Sequence, residues 1–181
     1  MTTGIFPGSF NPVHIGHLAL ANWLCEFGDV DELWFLVSPR NPLKDEAELA
    51  DERIRYGLVK RAIEGYPKFL ASDFEFSLPR PSYTINTLRA LRAKYPERQF
   101  ALIVGADNWA NFRRWKEHKS LIAEFPIIIY PRAGYDIIIP EELTTVRKVD
   151  APLLEISSTF IRKALKEGKD VRFFLPDFVY K

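Results

Sequence analysis

Three histidines, one cysteine and one methionine are few for a chain of 181 residues. The single cysteine, Cys25, cannot form an internal disulfide, which points to a reducing compartment. An excess of one charge is also lacking: 25 Lys and Arg stand against 24 Asp and Glu, a net +1. A protein that grips nucleic-acid backbone normally shows a basic excess, so no nucleic-acid partner is expected, though a local basic pocket for a small phosphorylated ligand stays open. No apolar run approaches the roughly 20 residues of a membrane span, so no membrane partner is expected either. Met1-Thr2-Thr3 leads straight into Gly4-Ile5-Phe6 without a charged-then-apolar leader. These absences together predict a soluble cytoplasmic protein. There is no internal repeat and no linker, and the 13 prolines are scattered as punctuation. Hydrophobic residues at 47% and charged residues at 27% exclude disorder and low complexity. The length suits one domain over residues 1–181.

The chain alternates between two apolar patterns. Gly4–Phe6, 32–37, 69–78, 100–104 and 126–130 read as strands, with weaker candidates at 137–139 and 145–149. Helical spacing runs over 16–27, 50–64, 83–95, 119–125 and from the Ser157-Ser158-Thr159 stretch through Glu167. In the second helix Ile54, Leu58 and Ile63 are the candidate inner positions. Residues 38–48 form a loop. Strands that are apolar throughout, separated by helices, predict a doubly wound, Rossmann-like α/β fold: a parallel sheet with helices on both faces. Ligands of such sheets bind beyond the C-terminal strand ends.

The first strand end leads into Gly8-Ser9-Phe10-Asn11-Pro12-Val13-His14-Ile15-Gly16-His17. Small residues at Gly8 and Ser9 let backbone N–H groups approach a phosphate. His14 and His17, three apart at a helix start, share its first turn, with Gly16 between them allowing a ligand close. Two imidazoles beside a positive helix end suit a polyphosphate. His-x-x-His supplies too few ligands for zinc. The plainer alternative is a pair of helix caps, which two of three histidines in one Gly-flanked turn makes the weaker reading. At the other end, Ser157-Ser158-Thr159 precedes a helix, and Arg162 lies four residues after Ser158. One of those hydroxyls is expected to cap the helix. Together with the guanidinium they form either that cap alone or an anion clamp, and the two readings weigh about evenly. Cys25, among Trp23, Leu24 and Phe27, reads as a buried thiol.

Gly8-Ser9-Phe10-Asn11-Pro12-x-His14-x-Gly16-His17, taken with Ile156-Ser157-Ser158-Thr159-x-Ile161-Arg162, resembles the nucleotidyltransferase superfamily with the His-x-Gly-His signature. Pro81-Ser82-Tyr83-Thr84-Ile85-Asn86-Thr87-Leu88, Val104-Gly105-Ala106-Asp107 with Phe112-x-x-Trp115, and Pro131-Arg132-x-Gly134-Tyr135 are similar to segments of bacterial nicotinate-nucleotide adenylyltransferases. Asn41-Pro42-x-Lys44 matches that family's lysine loop. Asn11 and Asn86 stand where many members carry Asp, keeping an acceptor but losing a charge.

The resemblance implies transfer of AMP from ATP to nicotinate mononucleotide, without a covalent intermediate. A phosphate monoester is largely ionised at pH 7 (second pKa about 6), so the attacking group needs no base. Positioning and charge stabilisation remain for the protein. The resemblance further implies that His14 and His17 contact the ATP phosphates and that Lys44 and Arg162 hold the triphosphate. Gly8, Ser9, Phe10, Ser157 and Ser158 add donors, while Gly105 and Asp107 end a strand where Asp107 takes a ribose hydroxyl. For the nicotinate end, Trp115 is the stacking candidate, Thr84 offers an amide or hydroxyl, and Arg132 balances a carboxylate or phosphate. A core role is the alternative for Trp115. Mg²⁺ is expected as a cofactor carried by the ATP phosphates rather than by a protein cage, and a homo-oligomer is left open. The rival readings are another small phosphate acceptor, such as nicotinamide mononucleotide or phosphopantetheine, and a nucleotide sensor without turnover.

Overall fold

The structure, a computed structural model, describes residues 1–39 and 49–180. Lys44 and most of the loop at 38–48 lie outside the described residues. Six strands form one sheet: β1 (Thr2–Gly8), β2 (Glu32–Val37), β3 (Phe69–Ser72), β4 (Gln99–Gly105), β5 (Ile127–Tyr130) and β6 (Val146–Lys148). They pair in the order β3-β2-β1-β4-β5-β6, every pair parallel. This is the Rossmann order, and it reverses between β1 and β4. The helices are α1 (Ile15–Phe27), α2 (Glu52–Ala62), α3 (Thr84–Lys94), α4 (Ala106–Ala110), α5 (His118–Glu124), α6 (Ser158–Lys166) and α7 (Asp177–Tyr180).

Side chains alternate along each central strand, so one strand feeds two cores. Phe6, Phe35, Ile103 and Ile128 pack with Leu24 of α1 and Val59 of α2. Their neighbours Ile5, Trp34, Leu102 and Ile127 face the other way, against Ile85 and Leu88 of α3 and Leu121 of α5. The apolar runs are therefore strands buried on both faces. Burying each such Leu, Ile or Phe contributes about 1.5–3 kcal/mol relative to leaving it in water. Ile161 and Ala164 of α6 form a smaller cluster with Val171 and Leu175. Cys25 is buried and free, and burial pushes its thiol up to about 11. Among the described residues no helix is long and apolar enough to cross a membrane.

Three expectations change. The strand read over 69–78 ends at Ser72, and Phe74–Ser77 is a 3₁₀ turn. Its inward residue is Glu75, a buried carboxylate that accepts a bond from the Thr87 hydroxyl at 2.8 Å. The alternation there reports a buried acid, not a pleat. Residues 137–139 form no strand, because β5 already pairs with β4 and β6. Ile137 and Ile139 instead rest on the second core, while the Ile138 carbonyl takes the Trp109 indole N–H at 3.0 Å. In α2, Ile54 is 60% exposed, and Arg55 and Val59 are the buried positions. Ile63 is buried as expected.

Candidate active site

β1 and β4 are neighbours whose chains leave the sheet in opposite directions, which opens a crevice over their C-terminal ends. A cleft of about 310 Å³ lies there. Gly8, Ser9 and Phe10 line it from the β1 loop, and His14, Gly16 and His17 from the first turn of α1. Asp107 and Asn108 reach it from α4, and Tyr130 to Arg132 from the end of β5. Ser157, Ser158 and Thr159 close it at the start of α6.

The two histidines are caps and cleft residues together. The His17 N–H donates to His14 Nδ1 at 3.3 Å, and the His14 N–H donates to His17 Nδ1 at 3.2 Å. The rings stack with centroids 3.6 Å apart. Capping was the weaker reading from sequence, yet capping is what aims the rings. A ring nitrogen that accepts from a backbone N–H carries no proton, so in the neutral imidazole the proton sits on Nε2. Capping thus sets the tautomer in which Nε2 is the donor. Burial first, then the positive charge of Arg132, lowers the His14 pKa to about 4, so this ring is neutral near pH 7. A Cβ at Gly16 would be tight, 3.1 Å from the His14 ring and 3.3 Å from Ile156, so the capping ring would have to give by a few tenths of an ångström. Gly16 itself lines the cleft.

The N-terminus of α6 is tied to the same loop. Ser157 caps it, accepting from the Phe160 N–H at 3.1 Å. Ser158 donates its hydroxyl to the Pro12 carbonyl at 2.9 Å, and Arg162 Nη1 donates to the Asn11 carbonyl at 2.8 Å. Of the three hydroxyls, Ser157 is therefore the cap. Ser158 and Arg162 bind the loop that carries His14. Two helix N-termini, each a positive dipole end, face one cleft.

Asp107 and Arg132 are the charged residues lining the cleft. Arg132 Nε stands 3.8 Å from Asp107 Oδ1, a buried oxygen with no hydrogen-bond donor. Gly105 is held small for this reason. A Cβ there would fall 2.5 Å from Asp107 Oδ1 and 2.9 Å from the Tyr130 hydroxyl. Burial pushes the Tyr130 phenol up to about 12, so it stays neutral.

Gly105, Arg162, Thr84 and Trp115 do not line this cleft. Thr84 opens α3, and the residue before it, Tyr83, lies under the Lys116 ammonium at 4.3 Å. Trp115 packs its ring against Phe112 at 5.0 Å and is half-buried. The segments of Thr84 and Trp115 therefore meet each other beside the cleft. Sequence reasoning missed Tyr130, Pro152 and Leu154 of the cleft, and the buried Arg55. Only the position of Tyr130, last in an apolar strand, could have signalled it.

A profile of the cytidylyltransferase-like family matches residues 5–164. A protein of Bacteroides fragilis named as a probable nicotinate-nucleotide adenylyltransferase is 57% identical over 99% of this chain and 89% of its own length. One of the same name from Porphyromonas gingivalis is 51% identical over 97% and 90%. Among solved structures, the Plasmodium falciparum nicotinic acid mononucleotide adenylyltransferase complexed with NaAD superposes with a TM-score of 0.77 at 20% identity, covering 94% of this chain and 87% of that one. This last likeness speaks for the fold. The chain thus belongs to the cytidylyltransferase-like family and, within it, to the nicotinate-nucleotide adenylyltransferases.

Proposed function

We propose that this enzyme transfers AMP from ATP to nicotinate mononucleotide, giving nicotinate adenine dinucleotide and pyrophosphate. A 5′-phosphate oxygen of the mononucleotide attacks the α-phosphorus, and the bond from that phosphorus to the β-phosphate bridging oxygen breaks in line. The pair leaves with pyrophosphate. No protein nucleophile is required.

The observation that carries this reading is the cleft itself, where two imidazoles with Nδ1 engaged stand opposite the N-terminus of α6. His17 donates to the α-phosphate and His14 to its neighbour. The α6 amides at Ser158 and Thr159, with the Gly8 to Phe10 loop, take the remaining phosphate oxygens. Lys44 holds the triphosphate, and Arg162 supports it from behind the cleft lining by keeping the loop closed through Asn11. The donor-less Oδ1 of Asp107 accepts a ribose hydroxyl, next to Gly105. Thr84 and Trp115 bind the nicotinate ring, and Arg132 bridges the two halves. Among the described residues Asp107 is the one carboxylate lining the cleft, and it is paired with Arg132. That donor set fits a magnesium ion held by phosphate oxygens and water, which supplies neutralisation of the leaving pyrophosphate. The reaction is placed in the cytoplasm.

Pyrophosphate release tests it, with ATP and each acceptor in turn. Nicotinate mononucleotide should give the highest kcat/KM, above nicotinamide mononucleotide and phosphopantetheine. Tight ATP binding with no release for any acceptor would leave a sensor instead.

A further inference from the structure

Arg55 is 1% exposed and heads the fully buried side chains by size. Its guanidinium donates to four main-chain carbonyls: Ala50 at 2.8 Å, Ser9 at 2.6 Å, Ser38 at 2.9 Å and Pro39 at 3.1 Å. These come from three stretches of chain: the β1 loop, the end of β2 and the entry to α2. Beside it, the Ser38 N–H donates to the Gly8 carbonyl at 2.9 Å. The carbonyls of Gly8 and Ser9 are thus both held from the interior. In a trans peptide the C=O and the following N–H point opposite ways. The amides of Ser9 and Phe10 are then turned away from Arg55, and both residues line the cleft. Phe10 has a φ of 46°, a left-handed conformation that costs a bulky L-residue energy and is kept only where surroundings enforce it. Successive amides in such a turn form an anion-binding nest.

We propose that Arg55 is a positioning residue for the transfer reaction: by holding the Ser9 carbonyl it keeps Phe10 in its left-handed turn and presents the Phe10 N–H to a nucleotide phosphate. The inference rests on reading the Gly8 to Phe10 loop as a phosphate site. Only a guanidinium serves four carbonyls in fixed directions; a lysine has the charge but neither the fork nor the donor count.

The test pairs kinetics of Arg55→Lys in the full chain with the Phe10 amide resonance under titration by pyrophosphate. In the wild type that resonance shifts on saturation. Folded R55K, checked by circular dichroism, should lose about 10- to 100-fold in kcat/KM for ATP while KM for nicotinate mononucleotide stays within about twofold. Its Phe10 shift should vanish. A merely stabilising residue would lower the melting temperature and leave folded enzyme at full rate. Folded R55K with near wild-type kcat/KM for ATP overturns the proposal. So does a wild-type Phe10 amide that ignores pyrophosphate while the His17 ring signals respond, and this arm decides the matter if R55K does not fold. Silence of both signals removes the phosphate reading itself, and the inference with it.

Discussion

The two halves of the site are built differently. On the side proposed for ATP, the described elements are locked by side-chain bonds to backbone: His14 and His17 cap each other's turn, Ser157 caps α6, and Ser158 and Arg162 stitch that helix to the Asn11-Pro12 loop. On the side proposed for the acceptor, Thr84 opens the long helix α3 and Trp115 follows a 3₁₀ turn with its ring on Phe112, the two segments meeting where Lys116 lies over Tyr83 beside exposed Arg113 and Arg114. Under the proposed assignment, this preorganised side faces the charge that develops in the reaction, where a fixed dipole is worth most. The proposed acceptor side would recognise a flat ring, which stacking can do with fewer backbone ties.

The sharpest way to break this contrast is His17→Ala. It removes a phosphate donor, and kcat should drop about 100- to 1000-fold with every acceptor alike. Stopped-flow pyrophosphate release would detect it, and a loss confined to one acceptor would contradict the division. Next comes acidity. His14 is kept neutral by burial with a pKa near 4, against 6.5 when unfolded. Below pH 6.5 the unfolded chain takes a proton that the native state refuses, so stability falls as pH drops from 6.5 to about 4 and levels below that. The loss is about 3 kcal/mol. Denaturant melts of wild type and His14→Gln should differ in that window, the variant lacking this part of the slope. Trp115→Ala should raise KM for nicotinate mononucleotide about tenfold and leave KM for ATP near its original value. A change in both would mean that Trp115 works through the core it rests on. The smallest effect belongs to Ser157→Ala, which removes a cap and should lower stability by about 1 kcal/mol in thermal or urea unfolding.

The fold was legible because its signal is redundant. Apolar runs such as 32–37 and 100–104 can be little else than buried parallel strands, and the order of elements forces the crossovers. Gly8 to His17 was legible as a cleft-lining loop because several small or polar residues agree there. What was hidden depended on pairing across the chain. Glu75 looked like part of a strand until Thr87, twelve positions on, supplied its donor. Arg55 was invisible for a similar reason, since its four acceptors are backbone carbonyls, which every residue has and no sequence advertises. Capping and phosphate contact looked like rival roles for His14 and His17, because a residue list does not say that Nδ1 and Nε2 can serve different masters.

Ser158 and Arg162 reach back to Pro12 and Asn11, so the catalytic groove is closed by partners about 150 positions apart. All six strands and both histidines precede α6 in the chain, and α6 takes no part in the strand pairing. The two walls of the groove are thus joined by side-chain ties rather than by sheet hydrogen bonds.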